Sequence, residues 1–233
     1  SDFGRLTLAQ SGAYRLVVRG ESETTGTYTF NLLPVADQSF NLAVGDIVTD
    51  GVPTSGAGNI EALGVQDTYT FSAQAGQVVY LNVLEVAANN GSLWWELINP
   101  DGARIVYQYM PQDIGRQTLD KTGTYRIIVH GENSATGTYS FALRPVADHS
   151  FTVALGDAVA DGVPGAGAGN IESPGAMDVY TFDGQAGQIV FLKASEIAAL
   201  NGDLWWEVRD PSGNRLVWNW LSGGLDRLTL PLT

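Results

Sequence analysis

The chain has 233 residues, and its content of 44% hydrophobic and 10% aromatic residues supports a packed core and excludes a disordered segment. A formal net charge of −13 without a basic cluster argues against nucleic-acid binding, and no apolar stretch is long enough to insert into a membrane. The absence of cysteine excludes disulfides and thiol chemistry.

The sequence repeats itself without a gap at a period of 111 residues. Residues 50–53 (DGVP) return as 161–164, and 161 − 50 = 111. Residues 93–96 (LWWE) likewise return as 204–207, and roughly half of all positions paired by this shift are identical. A fixed period of this kind is the signature of a repeat architecture, so we treat the chain as copies of one module.

Arg5, Arg116 and Arg227 occupy the same position of the repeat. One part of the repeat is therefore present three times, and the chain does not begin at a module boundary. We predict that residues 1–33 are the C-terminal strands of a preceding or complementing module. Residues 34–144 are predicted to form a complete module, and residues 145–233 a module that lacks its last two strands. These boundaries suggest a window from a longer tandem array. Three sources of the missing strands stay open: further residues of the parent protein, the N-terminus of the same chain, or an identical chain that donates its strands. We favour a continuous array or filament in which the equivalent of residues 1–33 completes the preceding unit, and donation between chains would propagate head to tail unless it closed into a ring.

Within a module the sequence pattern is typical of short β-strands. Alternating segments occupy residues 67–71, 124–129 and 138–143, and no segment keeps a helical period. Turn signals rich in Gly, Asn and Pro separate the segments. About eight strands per module at this spacing predict an all-β chain of tandem β-sandwich modules, jelly-roll-like in type. We predict that the segment from Phe40 to Glu61, which precedes the strand at 67–71, is a linker.

One hairpin can be assigned from the sequence. If residues 99–102 form the turn, Trp94 lies opposite Tyr107, and the side-chain period of two separates an apolar face from a mixed one. The charged residues on the mixed face mark it as the outer face, so it carries an aromatic row. Two uses of the row stay open, an interface between modules or chains and a platform for glycan rings. The aromatic row comprises Trp94, Tyr107 and Tyr109 in the first copy and Trp205, Trp218 and Trp220 in the second.

The order of these motifs resembles the bacterial pre-peptidase C-terminal domain. The resemblance covers about 80 residues of each copy and rests on strand and turn motifs. In the first copy they are DTYTF at 67–71, AGQ at 75–77, PDG at 100–102, TGTY at 122–125 and TGTY at 136–139. It implies a noncatalytic β-sandwich module of secreted or surface proteins, with calcium or matrix binding in some members.

No repeated set of residues suits catalysis. His130 and His149 align with Arg19 and Gln38, so neither histidine belongs to a site that the module repeats. Glu96 lies in the aromatic setting, but nothing in the sequence brings a second carboxylate beside it. We therefore predict that the chain is not an enzyme.

Calcium is the metal that the repeated oxygen donors would suit, since it prefers six to eight oxygens from flexible loops. The alternative is that these residues form turns through their own backbone. The candidate ligands are Asp46, Asp50, Asn59, Glu61 and Asp67 in the first copy and Asp157, Asp161, Asn170, Glu172 and Asp178 in the second.

These observations predict a noncatalytic structural or adhesive repeat of an extracellular or cell-surface bacterial protein. Its partners are expected to be neighbouring modules or identical chains, with a glycan or matrix ligand as a further partner. The alternative is a pair of carbohydrate-binding modules that targets a separate catalytic domain.

Overall fold

A computed structural model describes residues 4–132, 135–195, 197–199 and 202–231. The first three residues of the predicted N-terminal tail therefore lie outside the described residues. The chain divides into two compact units, residues 1–148 with 171–177 and residues 149–170 with 178–233. No helix in the described part of the chain is long and apolar enough to cross a membrane.

The described residues of the first unit form ten strands. They are β1 (Gln38–Asn41), β2 (Ile47–Val48), β3 (Asn59–Ile60), β4 (Gln66–Ala73), β5 (Val78–Asn89), β6 (Leu93–Ile98), β7 (Arg104–Tyr109), β8 (Gly115–Thr118), β9 (Gly123–Gly131) and β10 (Thr136–Pro145). One sheet has the order β1-β4-β9-β6-β7, and the other has the order β2-β10-β5-β8 with β3 also paired to β10. β1 runs parallel to β4, and the remaining pairs are antiparallel.

The two sheets enclose a single hydrophobic core. The alternation in β4 places Tyr69 and Phe71 in the core, as expected for a strand with a side-chain period of two. Trp95 of β6 lies 5.6 Å from Phe141 of β10, measured between ring centroids, so aromatic contacts connect the sheets. The predicted all-β sandwich is confirmed.

The lead-in to β4 is part of the sandwich, whereas the sequence analysis interpreted it as a linker. It supplies β1, β2 and β3, and it buries Phe40, Val48, Ala57 and Ile60 in the core. The reason for the error is that the segment alternates for only two to four residues at a time, which is too short for a periodicity argument.

The β6–β7 hairpin has the predicted faces but a different register. Trp94 pairs with Tyr109, and Glu96 pairs with Tyr107, two residues away from the predicted pairing. The connection is longer than a four-residue turn, because Asn99 and Ala103 close it by hydrogen bonds and a register shift follows Leu97. A displacement of two residues preserves the face of every side chain, so the assignment of inner and outer faces is correct.

In the described residues of the second unit, the strands form three separate two-stranded sheets. Its strands are β11 (His149–Thr152), β12 (Asp178–Thr181), β13 (Ile189–Leu192), β14 (Trp205–Arg209), β15 (Arg215–Trp220) and β16 (Leu225–Thr229), with a 3₁₀ turn at Leu221–Gly223 before β16. The pairs are β11 with β12, β13 with β16, and β14 with β15. Each pair corresponds at the 111-residue period to a pair of the first unit.

Candidate functional site

The aromatic row lies on the outer face of the β6–β7 hairpin, as the alternation predicts. The rings of Trp94 and Tyr107 are stacked with centroids 4.9 Å apart, and Tyr109 is tilted against Trp94 at 5.7 Å. His130 of β9 stacks on Tyr107 at 5.9 Å, which the sequence analysis missed. Trp94 Nε1 donates a hydrogen bond to Glu132 at 3.1 Å. The row is therefore an ordered apolar surface with polar groups at its edge.

The same hairpin of the second unit is more exposed and richer in tryptophan. Trp205 pairs with Trp220, and the ring centroids of Trp218 and Trp220 lie 6.2 Å apart. All three side chains are about half exposed. The row is therefore present in both repeats, with larger rings in the second.

The predicted calcium ligands are held mostly by contacts within the protein. Asp46 accepts the backbone N–H of Ala43 at 2.8 Å, and Asp157 repeats this turn with Ala154 at 2.8 Å. Gln38 Nε2 donates to both carboxylate oxygens of Glu61 at 3.0 Å.

The remaining acids and asparagines are exposed or partly buried, apart from Asp67. Asp50, Asp161, Asn170 and Glu172 are exposed, and Asn59 and Asp178 are partly buried. Across the described ranges, no three His, Cys, Asp or Glu side chains form a group that could hold a metal ion. Calcium binding at these positions stays a prediction.

Asp67 lies in the core, where two tyrosines contact its carboxyl group. Tyr139 donates a hydrogen bond to Asp67 Oδ2, and the hydroxyls of Tyr139 and Tyr69 are 2.8 Å apart. Gly58 N–H donates to the Tyr69 hydroxyl at 2.8 Å. Burial raises the pKa of Asp67 to about 7, although the hydrogen bond from Tyr139 acts in the opposite direction. The network connects β3, β4 and β10.

Gly58 is required where it stands in this network. Its φ is 73°, and a Cβ atom would lie 2.4 Å from the backbone of Thr49. The close approach aims the Gly58 N–H at Tyr69 and lets the Gly58 carbonyl accept from the Tyr139 N–H at 2.8 Å. Gly169 has the same conformation, with φ of 70°, and donates to Tyr180 at 2.7 Å in the second unit.

An arginine contact recurs at the start of each repeat, and we call it the Arg clamp. In the first clamp, Arg5 Nη1 and Nη2 donate to the two oxygens of Asp37 at 2.6 and 2.5 Å. Arg5 Nη1 also donates to the Gly64 carbonyl at 2.8 Å, and Asp37 accepts the Gln66 N–H at 3.1 Å. The guanidinium holds the pKa of the Asp37 carboxyl below its usual range.

The second clamp repeats these contacts 111 residues later. Arg116 of β8 donates to the two oxygens of Asp148 at 2.9 and 2.6 Å, and to the Gly175 carbonyl at 2.5 Å. Asp148 accepts the N–H of Met177 at 3.0 Å. All four residues belong to the first unit. Each clamp therefore joins an arginine of one repeat to the aspartate directly before the first strand of the next repeat and to the loop before its second paired strand, β4 or β12. In the sequence alone, the recurring arginine serves only to align the repeats.

Residues 4–33 contain the repeat's β8, β9 and β10 sequences but form no strand. Their turns nevertheless match the complete module. Tyr14 accepts from the Gln10 N–H at 3.2 Å and donates to the Gln10 carbonyl at 2.6 Å, as Tyr125 does with Lys121 at 3.0 Å in both directions. The apolar side chains of the segment are exposed. Residues 4–33 therefore have the sequence and the turns of β8, β9 and β10 but are not part of a sheet.

Comparisons with known proteins give structural similarities only. No protein-family model matches the chain, and no curated protein matches it significantly. The pre-peptidase C-terminal domain of a collagenase from Bacillus anthracis is similar, with 17% identity, a TM-score of 0.35, and coverage of 49% of this chain and 100% of that chain.

Two periplasmic inhibitors of g-type lysozyme are similar to a comparable degree. PliG of Aeromonas hydrophila has 14% identity and a TM-score of 0.29, and a mutant of PliG from Escherichia coli has 18% identity and a TM-score of 0.31. Each comparison covers 47% of this chain and 100% of the inhibitor chain. All three solved structures therefore correspond to about half of this chain.

Proposed function

We propose that this chain is a noncatalytic structural repeat segment of an extracellular or cell-surface protein, in which an Arg clamp fixes each repeat to the next. The observation that carries the proposal is the recurrence of the clamp. Arg5 with Asp37 and Gly64, and Arg116 with Asp148 and Gly175, make the same contacts at both repeat junctions.

The chemistry of the clamp suits positioning better than stabilisation. An exposed ion pair contributes only about 0–1 kcal/mol to stability, and the side chains of Arg5 and Asp37 are 32% and 37% exposed. A bidentate arginine–carboxylate pair nevertheless fixes direction as well as distance. The additional bond to a glycine carbonyl adds a third point. Three contacts of this kind define one arrangement of the aspartate and the glycine loop against the segment that carries the arginine.

Recurring acids of the first unit are engaged in the fold, which supports a noncatalytic role. Asp67 is enclosed by tyrosine hydroxyls, and Glu96 pairs with Arg104 at 3.4 Å. Glu61 is bound by Gln38. Each of these carboxylates has a neighbour that accounts for its position in the sandwich.

Amide hydrogen exchange of the Arg116→Met variant tests the proposal. The Met177 N–H, which donates to Asp148, should exchange at least about ten times faster, because Asp148 loses the arginine that holds its carboxylate in place. The Gln66 N–H is the internal control, since its clamp contains Arg5 and is unchanged. Arg104→Met removes an ion pair outside the clamps and should leave both amides unchanged. Unaltered exchange at Met177 in Arg116→Met would contradict the clamp's role.

The aromatic row supports a second candidate function, the binding of glycan rings. The three half-exposed tryptophans of the second unit and the Trp94–Tyr107 stack offer flat apolar surfaces beside polar groups. Glycan-array binding should be lost when Trp94→Ala and Trp205→Ala are combined. Ile105→Ala, which removes an exposed aliphatic residue from the same face, should retain it. Equal glycan binding by the native chain, the double variant and Ile105→Ala would contradict glycan binding by the row and favour its use in protein contacts.

A further inference from the structure

β7 forms a long open edge of the sandwich in the first unit. It lies at the end of the five-stranded sheet, and in the described part of the chain it pairs with β6 alone. The edge strands β1 and β8 have four residues and β2 and β3 have two, whereas β7 has six. Sheets commonly avoid edge-to-edge pairing through short edge strands, charges or prolines. After Arg104 at its start, β7 carries neither a charge nor a proline.

The charge distribution favours β7 over the other open edge of the unit. β8 pairs with β5 only as far as Leu81, and the rest of β5 faces no described strand on that side. That part of β5 carries an exposed carboxylate, Glu85. Residues 104–112 contain no acid, although the chain has a net charge of −13. Two copies of this acidic chain therefore meet the least repulsion at β7.

The backbone of β7 has free groups along this edge. Met110 N–H donates to the Leu93 carbonyl at 3.0 Å, so alternate residues counted back from Met110 bond to β6. Tyr107 and Tyr109 lie between them and direct their backbone groups away from β6. The Tyr109 carbonyl also accepts the Gln112 N–H at 2.9 Å, and a carbonyl has a second lone pair. The two tyrosines can therefore bond a further strand.

A β-bulge at Ile105 limits the part of β7 that can add a strand. Leu97 pairs with Val106 but Ile98 pairs with Arg104, so Ile105 is the extra residue. Because a bulge interrupts regular pairing, the regular edge begins at Val106 and continues to the end of the strand.

This regular edge is complementary to a copy of itself. In an antiparallel arrangement centred on Gln108, Tyr107 lies opposite Tyr109 of the second copy, and Tyr109 lies opposite its Tyr107. Both are hydrogen-bonded pairs, because both tyrosines direct their backbone groups to the edge. Their rings lie side by side on the outer face, where aromatic cross-strand pairs stabilise a sheet. Centring on Tyr107 instead would bring the bulged Ile105 into the pairing.

The residue at the centre also suits a symmetric contact. Gln108 faces its own copy at a position without backbone bonds between the strands, where side chains approach most closely. An amide has donors and an acceptor, so it can bond an identical amide. β15 repeats this pattern in the second unit, with Trp218, Asn219 and Trp220 in the equivalent places and the same shift of register at its start.

We propose that β7 of one chain pairs antiparallel with β7 of a second copy about Gln108, so that two sandwiches share one continuous sheet. The contact is isologous and closes at two chains. Only two hydrogen-bonded residue pairs form, so the association is weak and requires a high protein concentration. The proposal goes beyond the Arg clamp, which acts along one chain, and does not depend on it.

Disulfide cross-linking of a single variant tests the register. The native chain has no cysteine, and Gln108→Cys places one thiol at the centre, where facing Cα atoms about 4.5 Å apart suit a disulfide. Ile105→Cys is the control on the same strand, since Ile105 is 40% exposed and Gln108 is only partly buried. Under mild oxidant, Gln108→Cys should form the covalent dimer at least about ten times faster than Ile105→Cys.

Equal rates, or a faster reaction of Ile105→Cys, would mean random collision and would overturn the proposal. A mixture of Gln108→Cys with Asn219→Cys that links across the two variants faster than Gln108→Cys links to itself would overturn the pairing of β7 with β7. The exchange rate of the Met177 amide does not depend on either result, so this test and that of the Arg clamp are independent.

Light scattering of the full chain tests the backbone pairing. Tyr107→Pro and Tyr107→Val both remove the ring, but only proline removes the N–H that faces the edge, where proline is tolerated. At concentrations where the native chain dimerises, Tyr107→Val should retain most of the dimer and Tyr107→Pro should be monomeric. An unchanged exchange rate at the Trp95 amide, opposite Gln108, verifies that β6 and β7 stay paired.

Equal association of the proline and valine variants, or a native chain that is monomeric at every concentration, would overturn the proposal. If the proline disturbs the sheet, the cross-linking rates decide.

Discussion

The two repeats have roughly half of their residues in common, yet in the part of the chain that the structure describes the first unit forms two five-stranded sheets and the second forms three two-stranded sheets. The outer strand pairs are the same in both. What distinguishes them is the pair of central strands, β9 and β10, through which every outer pair of the first unit is joined. In both repeats the outer pairs are present, whereas they are joined into two sheets only in the first unit, through the two strands at its centre.

Trp95 and Trp206 occupy the same position of the repeat and show what the central strands contribute. Trp95 is fully buried, and its Nε1 donates to the Gln112 carbonyl at 3.2 Å. Trp206 is only partly buried, and its buried Nε1 has no hydrogen-bond partner among the described residues. The same residue therefore has a packed and hydrogen-bonded environment in one repeat and a partial one in the other.

The largest expected effect comes from truncating this tryptophan in each repeat. Trp95→Ala should reduce the free energy of unfolding of the first unit by about 3–5 kcal/mol, because it leaves a large cavity in a closed core. Trp206→Ala should cost the second unit less, below about 3 kcal/mol, because the ring is partly exposed to water. Hydrogen exchange at amides of β6 and β14 measures both. Equal losses would mean that the second core is closed as well.

The pH dependence of the first unit should show the buried Asp67. Its pKa is about 7 in the folded protein against 3.8 for the free side chain, so the folded state retains the proton over a range where the unfolded state has lost it. The contribution of the protonated carboxyl to stability is present below pH 4 and is lost as the pH rises to about 7.

The size of that loss is at most about 4 kcal/mol, since each unit of pKa shift corresponds to about 1.4 kcal/mol. Urea unfolding at pH 4.5 and pH 8 measures it, and Asp67→Asn should flatten the difference because the amide does not titrate. If the variant keeps the native pH dependence, other groups cause it.

Removal of a tyrosine hydroxyl should have a smaller effect. Tyr139→Phe deletes the donor to Asp67 and leaves the buried carboxyl with one hydrogen bond fewer, which should cost the first unit about 1–3 kcal/mol. Tyr180→Phe in the second unit should cost less, because Tyr180 is only partly buried. Thermal unfolding of both variants checks the order, and a reversed order would contradict the difference between the units.

Calcium is expected to have the smallest effect. If the acids predicted from the sequence bind calcium in the folded state, millimolar calcium should raise the midpoint of thermal unfolding and a chelator should lower it. Asp46→Ala is an informative variant, because Asp46 also bonds the Ala43 N–H in the turn. A midpoint that is the same with calcium and with chelator would assign these acids to turn structure.

Much of the architecture could be predicted because a sandwich strand has a strong period of two. The faces of β4 and of the β6–β7 hairpin follow directly from alternation, and the outer position of Trp94 with Tyr107 is confirmed. The hairpin register was wrong by two residues, because a turn closed at Asn99 and Ala103 has the same sequence signal as a shorter one.

The clamp and the buried acid could not be predicted for a different reason. Arg116, Asp148 and Gly175 are far apart in the sequence, and an isolated arginine carries no motif until the fold brings its acceptors together. Asp67 has the pattern of an exposed strand residue or a metal ligand. Its burial depends on hydroxyls from Tyr69 and Tyr139, 2 and 72 residues away along the chain.

The Arg clamp has a consequence for how a gene of this kind can change in length. Every repeat carries both halves of the clamp, with the arginine near its end and the aspartate and glycine near its start. Unequal recombination that adds or removes one whole repeat therefore joins an arginine to an aspartate with the same spacing as before. Gain or loss of one whole repeat therefore requires no new junction contacts to be selected.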